Sequence, residues 1–188
     1  MKTILSTLNL STLSLSTLSI VGLSSLCAVV ASSAMLAGSA TAAPVNGMNK
    51  GYVGGGLSGS VTNGGTGSDG LNFGGNVQGR LAIPNAPVSI RGTVLFNGNN
   101  SAIVPVVTYD MPVAPGTNVY AGVGGAFVQN QGVNSPIGTR NSVVLNAGVE
   151  TQVAKGIVVY TDAKLGINAY QGSPASSLGL SGGVGIQY

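Results

Sequence analysis

The chain has 188 residues, 44% of them hydrophobic and only 6% charged, against about 25% charge in an ordinary soluble domain. That scarcity argues against a surface kept in water by Lys, Arg, Asp and Glu. It also argues against disorder, which goes with few apolar residues and much charge. The formal net charge is +3, and beyond the N-terminal region the basic residues are scattered as Lys50, Arg80, Arg91, Arg140, Lys155 and Lys164. No cluster follows a phosphate backbone, so no nucleic-acid partner is expected.

Residues 1–42 read as a cleavable secretory signal. Lys2 opens it, a Ser/Thr/Leu-rich stretch follows, and a more apolar run extends from Ile20 to Leu36 before Ala40-Thr41-Ala42. The expected cut lies after Ala42, because a cut after Ala43 would put Pro44 first. Ser24, Ser25, Ser32 and Ser33 dilute the run below the roughly 20 mostly apolar residues of a membrane helix. Leu26 precedes Cys27 where a lipoprotein signal needs a small residue. Cys27 is the single cysteine, so the exported chain is expected to carry neither thiol nor disulfide. Residues 43–50 form a short N-terminal segment, and residues 51–188 form one domain.

From residue 51 onward apolar and polar residues alternate with period two, the pattern of strands. Gly, Asn, Pro and Ser divide the region into eight segments: Gly51–Thr62, Leu71–Ile83, Val88–Asn97, Ala102–Val113, Asn118–Gln129, Ser142–Ala154, Ile157–Tyr170 and Leu178–Tyr188. Each is about the 9–11 residues that cross an outer membrane at a tilt, with a little overhang. The even-numbered links are short. Links one, five and seven, 63–70, 130–141 and 171–177, are longer, and only the third, 98–101, breaks the rule. Short periplasmic turns and long outer loops are the habit of outer-membrane barrels.

The charges sharpen the assignment. Arg80, Arg91, Asp110, Glu150, Asp162 and Lys164 all fall on the polar face of their strands, three of each sign. A face that is polar, sparsely charged and balanced suits the packed lumen of a narrow barrel. The opposite face, with Val77, Val94, Leu145, Leu165 and Val184, is almost uncharged, as lipid contact requires. Phe73, Phe96 and Phe127 lie on that face near the outer ends, and Tyr109 and Tyr188 near the inner ends. Tyr52, Tyr120, Tyr160 and Tyr170 fall on the polar face, where they would fill the lumen.

The strand pattern and the terminal run Leu178-Gly-Leu-Ser-Gly-Gly-Val-Gly-Ile-Gln-Tyr188 resemble the small OmpA/OmpX-type outer-membrane barrels. The resemblance covers residues 51–188. The chain departs from that pattern in having no Trp, a terminal Tyr rather than Phe, and very high Gly. The resemblance implies an all-β, eight-stranded antiparallel up-and-down transmembrane barrel exported to a bacterial outer membrane. It further implies outer-membrane lipid as surroundings and recognition by the barrel-assembly machinery through the strand ending at Tyr188.

Runs such as Gly54-Gly55-Gly56 and Gly122-Val123-Gly124-Gly125 are not phosphate loops, because no helical pattern follows them. Close approach of neighbouring backbones is the better account. The chain has no histidine, which removes a Ser-His-Asp triad, a His metal site and the usual general base. No catalytic residue, metal or cofactor is expected. The six lumen charges are expected to pair with one another, giving a non-enzymatic barrel with a filled lumen that serves envelope integrity or surface interaction through its outer loops. A narrow porin-like channel is the alternative, since lumen positions such as Gly54, Ser58, Ser60, Gly122, Gly124, Ser181 and Gly183 leave room for water. A water-soluble periplasmic ligand-binding barrel is the third.

Overall fold

A computed structural model describes residues 46–62 and 72–188. The signal-like region and the 63–70 loop lie outside the described residues. Eight strands follow in chain order: β1 (Tyr52–Ser60), β2 (Asn72–Ala82), β3 (Val88–Phe96), β4 (Ser101–Ala114), β5 (Thr117–Val128), β6 (Ser142–Ala154), β7 (Ile157–Ile167) and β8 (Ser177–Gln187). Each pairs antiparallel with the next, and β8 pairs back with β1, so the sheet closes on itself. Closure leaves no sheet edge unpaired.

Alternation decides which side chain faces where. Along β3, and along β4 as far as Asp110, buried residues alternate with exposed ones. The exposed set is apolar: Val77, Val94, Leu145, Leu165 and Val184 all stand outside, as do Phe73, Phe96, Phe127, Tyr109 and Tyr188. The three phenylalanines sit toward the long-loop end and the two tyrosines toward the end that carries the termini. A wall of exposed apolar side chains round an ionic interior inverts the arrangement of a water-soluble protein.

Turns at the termini end are tight. Links 115–116 and 155–156 place Gly116 and Gly156 at φ +67° and +78°, a conformation that a Cβ disfavours. The third link, 97–100, lies at the long-loop end yet stays short because Asn97 caps it. The Asn97 side-chain oxygen accepts from the N–H groups of Asn99 and Asn100 at 2.9 and 2.7 Å.

The glycines inside the wall allow close strand approach. A Cβ on Gly122 would fall 2.1 Å from the Val107 carbonyl oxygen, and one on Gly124 would fall 2.0 Å from that of Pro105. No side chain fits there, which confirms the strand reading of the glycine runs.

The seventh segment ends earlier than its alternation suggests. β7 stops at Ile167 because Asn168 turns to φ +52°. Tyr170 therefore belongs to the β7–β8 loop and not to the lumen wall. There it is buried, its hydroxyl donating to the Thr62 carbonyl at 2.6 Å.

Candidate functional site in the lumen

All six charged residues of the polar face point inward and are buried. The register explains how they meet. Arg80 and Arg91 are direct partners across β2 and β3, while Asp110 and Glu150 come from β4 and β6. Arg91 donates to Glu150 Oε2 and Oε1 at 2.6 and 3.1 Å and to Asp110 Oδ1 at 2.9 Å. Arg80 donates to Asp110 Oδ2 at 2.8 Å and lies 3.3 Å from Glu150 Oε1. Two cations and two anions thus form a closed quartet in which each charge touches both opposite ones. Ser89 donates to Asp110, Thr108 donates to it at 3.2 Å, and Asn118 donates to Glu150 at 3.1 Å. Buried ions at this density are tolerated only when their remaining lone pairs and protons are also satisfied.

Lys164 and Asp162 stand apart from the quartet as a second buried pair, 2.5 Å from each other. The expected six-residue cluster is therefore two clusters, joined through tyrosines. The Arg91 guanidinium lies 3.5 Å from the Tyr120 ring centroid, and the Tyr120 hydroxyl donates to Asp162 at 3.2 Å. Tyr52 stacks on Tyr160 with centroids 5.7 Å apart, accepts from Arg91 and Gln78, and Tyr160 donates to Asn76 at 2.6 Å. Every lumen tyrosine thus presents a ring to fill space and a hydroxyl to a polar partner.

Toward the long loops the β3–β6 side of the lumen is largely apolar, while Ser58, Ser60, Asn76 and Lys164 keep the β1, β2 and β7 side polar. Leu95, Ala102, Val104, Val106, Ala126, Val128 and Val144 form a buried apolar cluster that Ile137 completes from the β5–β6 loop. This cluster escapes a period-two reading because β4, after Ser101, runs Ala102-Ile103-Val104-Pro105-Val106-Val107, apolar on both faces. The β5–β6 loop, expected as an outer loop, turns back over the mouth. Its residues 135–139 are buried. Asn72 and Asn97 donate to the carbonyls of Ser135 and Asn134 at 3.2 and 3.0 Å, and the Thr139 N–H donates to Ala169 at 2.8 Å. The loop tip, 129–133, and Arg140 remain exposed.

Three buried oxygens on the β6–β8 side have no hydrogen-bond partner: Ser142 Oγ, Asn146 Oδ1 and Ser177 Oγ. No group of acidic, Cys or His side chains able to hold a metal occurs among the described residues. The arrangement neutralises and fills: the Ser89 and Thr108 hydroxyls are spent on an Asp110 carboxylate that two guanidinium groups already hold.

A closed eight-stranded up-and-down barrel with an apolar exterior and a self-paired ionic interior has the fold of the small outer-membrane barrels of OmpA/OmpX type. No family model matches the sequence, and no curated protein matches it. Among solved structures the barrel is similar to Ail, the attachment invasion locus protein of Yersinia pestis, in complex with the heparin analogue sucrose octasulfate. That match has 14% identity and a TM-score of 0.50, covering 74% of this chain and 98% of that one. The Neisserial surface protein A, NspA, matches at 15% identity over 73% of this chain and 97% of that one, with a TM-score of 0.47. At such identity the likeness to Ail is a likeness of fold.

Proposed function

We propose that the protein is a non-enzymatic barrel of a bacterial outer membrane, closed to ion flow, with its long-loop end facing outward and serving surface interaction or envelope integrity. One observation carries the reading: an apolar exterior surrounds a lumen in which every buried charge is neutralised by another. An exterior of this kind on a water-soluble barrel would be one continuous sticky patch, far beyond the few hundred Å² usual on soluble monomers. That weighs against the soluble ligand-binding alternative. The filled interior, just wide enough for side chains in eight-stranded barrels, weighs against the channel.

The polyanion bound to Ail does not carry over. Among the described residues at the long-loop end, Arg140 is the only cation, too little to hold a densely sulfated sugar. Cell fractionation tests the location. The protein is expected in the outer-membrane fraction, resistant to alkaline extraction, and shifting in gel mobility on heating. Recovery from the soluble periplasm with no heat-dependent shift would overturn the reading.

A further inference from the structure

Residues 46–50 form no strand, yet they are held across the termini-end mouth by five hydrogen bonds, all made to their main chain. Asn118 reads Met48 in both directions: its side-chain oxygen accepts the Met48 N–H at 3.1 Å, and its amide donates to the Met48 carbonyl at 2.8 Å. Arg80 donates to the carbonyls of Met48 and Lys50 at 3.1 and 2.9 Å. The Gly116 N–H donates to the Asn46 carbonyl at 3.1 Å.

Two side-chain requirements accompany this main-chain recognition. A Cβ at Gly47 would lie 1.9 Å from Asn118 Oδ1 and 2.7 Å from Pro112 Cβ, so a larger residue there must displace the Asn118 amide or the segment itself. Met48 is buried with Tyr52, Val158 and Tyr160, an apolar anchor set among polar clamps.

We propose that the termini-end mouth is a binding site for an extended peptide main chain, filled in cis by residues 46–50, which latch the mouth shut. Its parts come from β2 (Arg80), β4 (Pro112), β5 (Asn118) and β7 (Val158, Tyr160). The β4–β5 hairpin alone does not make the site, since Arg80 and the Val158–Tyr160 pocket reach the segment from β2 and β7, so the full site exists only once the barrel has closed. A cavity of about 530 Å³ beside it, lined in part by Asn49, Asn85, Pro87 and Asp110, gives the segment room to leave its seat without displacing the wall. The proposal concerns the barrel alone and stands whichever compartment holds it.

The test places a reporter beneath the latch. Val158→Cys, in the full chain with Cys27→Ala, puts a small thiol under Met48. Its labelling by a charged, water-soluble methanethiosulfonate is timed in detergent micelles. Gly47→Val is then added to unseat the segment, and folding is verified in each case by heat-dependent gel mobility. The reporter is expected to be protected behind the native segment and to label about tenfold faster or more once it is unseated, since labelling follows local opening. Equal rates in the two folded proteins, whether both fast or both slow, would overturn the proposal. Should Gly47→Val fail to fold, Met48→Ser removes the anchor without a clash and carries the same two expectations.

Discussion

Glu150→Gln probes the quartet most sharply. Glu150 is fully buried and accepts from Arg91 twice, at 2.6 and 3.1 Å, and from Asn118 at 3.1 Å, with Arg80 Nε 3.3 Å away. The substitution keeps the volume and one acceptor oxygen but removes the charge. Asp110 alone then faces two guanidinium groups, leaving one buried positive charge uncompensated. Hydrogen bonds to charged groups are worth about 1.5–3 kcal/mol each, and breaking a buried pair costs about 3–5 kcal/mol. The expected loss is therefore about 3–5 kcal/mol, read as a lowered midpoint in urea unfolding of the barrel in lipid vesicles. Adding Arg91→Gln to Glu150→Gln restores neutrality, so the double variant should be more stable than the sum of the two single losses allows. A loss below about 1 kcal/mol for Glu150→Gln, the scale of a surface pair, with additive effects in the double variant, would refute the quartet as an interdependent unit.

Other perturbations follow from particular contacts. Gly122→Ala drives a Cβ against the Val107 carbonyl, whereas a Cβ on Gly92 meets nothing within 4 Å; refolding yield should collapse for the first and stay native for Gly92→Ala. Val94→Arg, in the exposed apolar wall, should cost up to about 2–4 kcal/mol in vesicle unfolding if it lies at the bilayer midplane; a neutral effect would speak against lipid contact. Ile137→Ala should weaken the seating of the β5–β6 loop by up to about 2–5 kcal/mol. Trypsin cleavage after the exposed Arg140 should then accelerate, and an unchanged rate would show that Ile137 does not hold the loop.

Much of this architecture is legible in the sequence. Strand faces follow from strict alternation in β2, β3, β6 and β7, and the turn positions follow from Gly and Pro. The lumen charges share one face, so their meeting inside follows as soon as the strands are aligned. Which cation meets which anion does not, because that depends on the stagger between strands. The apolar plug is hidden because β4 is apolar on both faces. Tyr170 is misassigned because polar Asn168 keeps the alternation going through the turn that ends β7. The latch at 46–50 and the folded-back residues 135–139 have no periodicity; they are held by hydrogen bonds to residues distant in sequence, visible only once the barrel is closed.

Conductance in planar bilayers tests the central claim most directly. A barrel whose lumen is filled by the quartet, the tyrosines and the apolar plug should give no reproducible unitary steps. Unseating residues 46–50 should not change that, because the plug at the other end remains. Steady unitary steps from the native chain, altered in size by Glu150→Gln, would contradict the account and make the lumen a pore.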